Sequence, residues 1–302
     1  MKKGLKVTLV VLTVVILIAA AGLMYITHAN AIKMVYNPIE GRTLPTEPPS
    51  NRGIPYEEVS VTTEDGFSLA GWFIPSQNGA VVIAQHGLFG HRDNMLDDAE
   101  LLYQHGYGVL LSSFRAHDVN EGELVTYGKN EVKDMEAWYQ LLLTRTDIDH
   151  DRIGILGESM GGMVTIFYSA QNTHIRAVVL HSAAPSIDAA ANKAIEHYFN
   201  LPPFPFVPLT IWWGEQMAGF DSSQIDATRM IGQISPRPVL IMMGGQDDTI
   251  PAESLQWLYD AANEPKELWY LPEAGHHGFP EVAPEEYERR VTEFFDKYLL
   301  GE

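Results

Sequence analysis

Residues 153–162, Ile-Gly-Ile-Leu-Gly-Glu-Ser-Met-Gly-Gly, narrow what this chain can fold into more than any other stretch. Branched apolar residues run straight into G-E-S-M-G, and residues 163–168 continue as a buried helix. The pattern is a strand, a sharp turn and a helix, with Ser159 at the turn. A turn this tight holds the serine in strained backbone geometry and lifts its hydroxyl clear of the sheet edge. Gly157 and Gly161 stand where side chains would collide as strand and helix close on each other. The Met160 N–H is left at a helix N-terminus, open to negative charge. An ordinary strand-to-helix loop also fits G-x-S-x-G, so the rest of the chain must decide.

Around this turn, strands and helices alternate. Residues 57–62 and 67–74 read as a β-hairpin about Glu64-Asp65-Gly66. The short apolar run 80–85 is a buried strand ending in His86-Gly87-Leu88-Phe89-Gly90. A helix near 94–104, a strand at 107–112 and a helix over 131–145 follow, the last with Val132, Met135, Trp138, Tyr139 and Leu142 on one face. Strands at 177–181, 239–243 and 266–271 and a closing amphipathic helix over 285–300 complete the order. Such alternation implies an α/β fold with a mostly parallel central sheet and helices on both faces. Between about 185 and 236 it is interrupted by an insertion. There 189–199 reads as a helix, while the prolines of 201–209 argue against a regular one. The aromatics Trp212 and Trp213, with Phe89, are candidate walls of an apolar substrate pocket.

Upstream, Lys2, Lys3 and Lys6 precede a charge-free run of 21 residues at 7–27, about 30 Å as a helix and enough to cross a bilayer. The run exceeds the apolar core of a secretory signal, although Ala29-Asn30-Ala31 has the form of a cleavage site. An uncleaved anchor over residues 1–28 is the preferred reading, with the lysines in the cytoplasm and the remainder on the extracytoplasmic side; secretion after cleavage is the alternative. Prolines and glycines over 29–55 suggest an extended tether or an arm lying on the domain surface. Residues 56–302 form the catalytic domain.

The chain has no cysteine, which removes disulfides, thiol nucleophiles and cysteine-bound zinc. Its formal charge of −19 argues against nucleic acid as a partner. No cofactor is expected. No metal is expected either, since His276-His277 are neighbours that do not aim at one ion and no H-E-x-x-H occurs.

Three catalytic residue types fall just past the ends of three parallel strands, in the order Ser159, Asp247 or Asp248, and His276 or His277. The crevice beyond the carboxyl ends of such strands is where sites form. A serine hydroxyl needs a base to take its proton, histidine serves near neutral pH, and a carboxylate orients the imidazole. The oxyanion formed needs N–H donors, which Met160 and Leu88 are placed to supply.

With H-G-L-F-G at 86–90, G-E-S-M-G at 157–161, G-G-Q-D-D-T-I-P at 244–251 and E-A-G-H at 273–276, the sequence resembles the α/β-hydrolase superfamily over residues 56–300. More finely, it resembles the Bem46 and serine aminopeptidase-like groups. The resemblance implies Ser159 as nucleophile, His276 as base, Asp247 as acid, and Leu88 and Met160 as oxyanion donors. It selects Asp247 because the acid lies four residues before the proline, and His276 because it follows Ala-Gly. Many relatives carry a D-x-R-G-x-G-like segment where this chain has Ser113-Phe114-Arg115-Ala116-His117-Asp118. The expected activity is hydrolysis of a small-molecule carboxylic ester through an acyl-enzyme. Amide substrates (peptidase or acyl-aminoacyl hydrolase) and thioesters are the alternatives, ahead of a non-catalytic binding protein on the same fold. His86 is expected to shape the oxyanion loop rather than to act on substrate.

Overall fold

A computed structural model describes residues 2–301; Met1 and Glu302, and the side chains of Lys2, Lys3, Tyr198 and Phe199, lie outside the described residues. Eight strands form one sheet: β1 (Glu57–Thr62), β2 (Ser68–Ile74), β3 (Val81–Gln85), β4 (Gly108–Ser112), β5 (Ile153–Glu158), β6 (Ala177–His181), β7 (Val239–Gly244) and β8 (Lys266–Leu271). Their spatial order is β1-β2-β4-β3-β5-β6-β7-β8. The β1–β2 and β2–β4 pairings are antiparallel, and from β4 onward every pairing is parallel. The central strands β3, β4, β5, β6 and β7 are buried along their whole length, as a sheet covered on both faces requires.

The helices are α1 (Lys2–Val35), α2 (Leu96–Gln104), α3 (Glu131–Leu143), α4 (Met160–Gln171), α5 (Ile187–Phe199), α6 (Pro203–Ala218), α7 (Ser254–Ala261), α8 (Phe279–Val282) and α9 (Pro284–Phe295). Met135 and Trp138 of α3 and Val164 and Ile166 of α4 pack on one side of the sheet with the insertion. Leu96 and Leu102 of α2 and Tyr287, Val291 and Phe294 of α9 cover the other.

Two segments depart from the sequence reading. Residues 201–209 were expected to resist regular helix, yet α6 runs through Pro208. Phe204 has extended backbone (φ −98°, ψ 131°), so the regular turns begin at Pro205. Pro205 then stands at the first helical position, where no intrahelical bond is lost, and Pro208 forgoes only the bond to the carbonyl of the exposed Phe204.

The second departure is at the N-terminus. Instead of giving way to an arm at residue 29, α1 continues to Val35. Its first part is exposed on every side, from Leu5 at 63% to Ile18 at 67%, which is not the environment of a core helix. Its last turns dock on the catalytic body, burying Thr27, Asn30, Ala31 and Val35. That spacing of three, one and four residues is one face of a helix. Beyond Pro38 the chain does become a surface arm, held by Arg42 to the carbonyls of Asn37, Asn120 and Gly122 and by Arg52 to Glu47 and Glu100.

Candidate active site

The turn between β5 and α4 places Ser159 at φ 54°, ψ −119°, outside the regions an L-residue normally occupies. Its N–H donates to the His181 carbonyl at 2.9 Å, tying the turn to the end of β6. The flanking glycines are sterically required. A Cβ at Gly157 would stand 2.4 Å from Thr165 Oγ1, and one at Gly161 2.4 Å from the His86 carbonyl oxygen.

Past the end of β7, Asp247 is buried and His276 approaches it from the loop after β8. His276 Nδ1 and Asp247 Oδ2 are 2.7 Å apart. The other carboxylate oxygen accepts the N–H groups of Ile250 (2.7 Å) and Thr249 (2.9 Å). Burial by itself would raise the Asp247 pKa; the His276 hydrogen bond and charge and the two backbone N–H groups outweigh it and hold the carboxyl below its usual range. A carboxylate there calls for a proton on Nδ1, which makes Nε2 the nitrogen free to accept one. Asp248, by contrast, points outward and meets His197 Nε2 of α5 at 3.3 Å. His277 pairs with Glu158, beneath the serine turn, rather than with Asp247.

Ser159 and His276 line one cavity of about 390 Å³, with Leu88, Phe89, Met160, Met163, Ile187 and Ile250 among its walls. No hydrogen bond joins Ser159 to His276 among the described residues, a separation common before substrate draws such pairs together. The N–H groups of Leu88 and Met160 likewise have no acceptor among the described residues and border the same cavity. A broader hollow over α3 and α4, bordered by Lys133, Glu136 and Tyr168, contains neither Ser159 nor the His276–Asp247 pair.

His86 is fixed below the loop of Leu88. Its Nδ1–H donates to the Gly87 carbonyl (2.8 Å) and Nε2 accepts from Ser113 Oγ (3.0 Å). Burial, with His117 nearby, pushes its pKa down to about 3. His181, pushed down to about 3 by burial, and His117, down to about 4 for the same reason, are also neutral. These folded values lie below the unfolded value of about 6.5, so their stabilising contribution is full above that pH and is lost as pH falls through 6.5 toward 4. Two buried acids work in the opposite direction: Asp98, up to about 6, and Asp134, up to about 7, both through burial. His277 is likewise held down by burial, so the histidines outnumber the two acids, the unfolded chain binds more protons, and stability should fall as pH drops from 6.5 toward 4. Urea unfolding at pH 7, 6 and 5 measures this; a flat profile would contradict the neutral assignment.

The sequence-derived residues Ser159, His276, Leu88, Met160 and Phe89 meet at the cavity, with Asp247 directly behind His276. Trp212 and Trp213 do not. The α6 helix turns Trp213 onto His28 of α1 (ring centroids 4.8 Å), and Trp212 lies tilted against Trp213. The wall expected of them is supplied by Ile187, Ala190 and Ala194 of α5 and by Lys33 and Met34 at the end of α1. None of these was singled out in the sequence. The signal for Met34 was present as the helical spacing of 27, 30, 31, 34 and 35, uninterrupted by proline until Pro38.

The sequence model of the prolyl oligopeptidase family matches residues 116–302, well over half of the chain. The chain belongs to that family, within the α/β hydrolases, and is a serine hydrolase. A partial α/β-hydrolase lipase region also matches this hydrolase over residues 46–96. The Pyrococcus furiosus esterase Pf2001 is similar in structure, with a TM-score of 0.75 and 28% identity, covering 88% of this chain and 98% of its own. An uncharacterized protein of Mycobacterium tuberculosis is 30% identical, over 88% of this hydrolase and 87% of the relative. The α/β hydrolase domain-containing protein WAV2 of Arabidopsis thaliana is 27% identical, over 88% and 87% respectively.

Proposed function

We propose that this hydrolase cleaves carboxylic esters through an acyl-enzyme, with Ser159 as nucleophile, His276 as base and Asp247 as the orienting acid. The observation that carries the reading is the Asp247–His276 pair, held through Nδ1, in a cavity whose lining His276 shares with Ser159 on its strained turn. In this mechanism Ser159 Oγ attacks the ester carbonyl carbon as His276 Nε2 takes its proton. The oxyanion sits against the Leu88 and Met160 N–H groups, and the leaving alcohol departs with the proton from His276. Water then gives its proton to the same nitrogen and releases the acid.

Two features favour esters over peptides. The cavity walls are mainly apolar, and no Asp or Glu lines them to pair with a substrate ammonium, among the described residues. Family membership favours the peptidase alternative, so the test sets the two against each other. On p-nitrophenyl esters from acetate to palmitate, beside aminoacyl p-nitroanilides, ester turnover should exceed anilide turnover at least 100-fold. Turnover of anilides alone would assign a peptidase. Silence on both, with no labelling by a fluorophosphonate, would leave a binding protein.

We further propose that α1 is an uncleaved membrane anchor, with the catalytic domain on the extracytoplasmic side. The all-round apolar exposure of its first part supports a membrane setting, and the lysines at its start support the orientation. Burial of Asn30 and Ala31 in the seam with the catalytic body disfavours processing at Ala29-Asn30-Ala31.

A further inference from the structure

The anchor and part of the cavity wall belong to one continuous helix. Helix α1 carries an apolar surface exposed on all sides, docks through Thr27, Asn30, Ala31 and Val35, and then contributes Lys33 and Met34 to the wall of the cavity that holds Ser159. The seam leaves no loose joint between them. Tyr127, itself in the cavity wall, donates its hydroxyl to the Met34 carbonyl (2.7 Å), and the Val125 N–H donates to the Val35 carbonyl (2.9 Å).

Distance follows from helix geometry. Ile26 is the last large apolar residue of the exposed part, 39% accessible, before the buried face begins at Thr27. Lys33 lies seven residues farther on, about 10 Å along the axis at 1.5 Å per residue. A second element marks the same level. Trp213 packs edge-on against His28, and Trp212, tilted against it, is 43% exposed. An exposed tryptophan beside the end of an apolar span is the residue type that settles at a membrane–water interface.

From this juxtaposition we infer that the substrate is a long-chain acyl ester resident in the bilayer, which enters the cavity alongside the anchor without crossing bulk water. This rests on the serine hydrolase reading above and names its substrate class. The physical advantage is that a long acyl chain leaving the bilayer through water must expose every methylene. A cavity walled in part by the end of the anchor, with Met34, Met163, Ile187, Ala190 and Ala194 as apolar lining, lets the chain exchange one apolar environment for another.

The test uses the full chain reconstituted in phosphatidylcholine vesicles. A flexible spacer of twenty Gly and Ser residues inserted between Ile26 and Thr27 keeps residues 7–26 for the span and leaves the docked face, which begins at Thr27, and the cavity in the body. It allows the catalytic body to move off the membrane by about 25 Å. Hydrolysis of 1-oleoylglycerol in the same vesicles should fall at least tenfold, while p-nitrophenyl acetate turnover from the water stays within twofold. Equal rates on oleoylglycerol with and without the spacer would overturn the inference and leave the esterase reading standing. Absence of turnover and of fluorophosphonate labelling in the unaltered protein would overturn both. Should the spacer disturb the seam and lower both rates, a second measurement on the spacer-free Ser159→Ala chain decides. A lipid with a photoactivatable group on its acyl chain should crosslink to α5, around Ala190 and Ala194, as well as to residues 4–26. Crosslinks confined to residues 4–26 would overturn the inference.

Discussion

Replacing Ser159 with alanine is expected to lower kcat on short p-nitrophenyl esters by about 10⁵–10⁶-fold, because nucleophile, base and acid act as one unit. The remaining rate would reflect binding and the two N–H donors alone. Folding should be untouched. Ser159 Oγ makes no hydrogen bond among the described residues, and alanine keeps the Cβ that Gly87 already accommodates at 3.2 Å from its own ideal Cβ position. The unfolding midpoint should therefore stay within about 2 °C of the parent. A second substitution reads out the backbone. At φ 54°, ψ −119°, Ser159→Gly removes the strain of a side chain in a glycine-favoured region and should be the more stable of the two inactive variants by about 1 kcal/mol. Labelling by a fluorophosphonate should vanish in both. Persistence of full turnover in either would assign the nucleophile elsewhere.

The fold was legible because its signals are local and redundant. The buried strands β3 to β7 are short and mainly apolar, and β3, β5 and β7 end in glycine-bearing turns where a side chain would meet neighbouring atoms. A Cβ at Gly244, for instance, would sit 2.2 Å from the Ala274 carbonyl oxygen. The hairpin pairing of β1 and β2 followed from the Glu64-Asp65-Gly66 turn, where Gly66 has φ 93°. What misled was proline. In α6, Pro205 and Pro208 read as helix breakers, yet Pro205 falls where the helix has no hydrogen bond to give up and Pro208 where it gives up only the first. A composition argument cannot distinguish a proline at position four of a helix from one at position eight without knowing where the helix starts.

The cavity was less legible than the residues thought to react in it. Ser159, Asp247 and His276 stand at strand ends, where spacing alone places them. Its walls come from segments far apart in the chain, among them α1, the loop after β3, Tyr127, α4, α5 and the loop after β7, and which side chains face inward depends on how these elements pack. Trp212 and Trp213 illustrate the difficulty: aromatic residues in an insertion fit a pocket wall or a helix seam equally well, and here α1 takes up Trp213. The departure at 113–118 has a visible consequence as well. Ala116 and Asp118 occupy the left-handed region, at φ 56° and 54°, that glycine would adopt without strain. Arg92 locks Asp118 through a 2.8 Å hydrogen bond, and Arg115 is held by Asp134 and Asp65. This loop is therefore ordered by ion pairs and contributes no side chain to the cavity around Ser159.

Asp247→Asn is expected to lower kcat by about 10⁴-fold while leaving the loop in place. The reason lies in the two backbone donors. Asp247 Oδ1 accepts from Thr249 and Ile250, so the oxygen of the new amide must remain there and its NH₂ must turn to His276. An NH₂ facing Nδ1 requires that nitrogen to accept rather than donate, which moves the imidazole proton to Nε2. That is the atom proposed to take the Ser159 proton, and once protonated it cannot. The side chain is fully buried, so water cannot relieve the mismatch by solvating the amide. Asp248→Asn is the matched control. Asp248 faces outward toward His197 and accepts from Thr249 Oγ1 at 3.2 Å, and its loss should change kcat by no more than about threefold, in the range of exposed ion pairs. Measuring both variants on the same ester separates orientation from charge, since each removes one negative charge from adjacent positions. Equal losses would mean that the field of the loop matters and the tautomer does not; a large loss at Asp248 alone would move the acid by one residue.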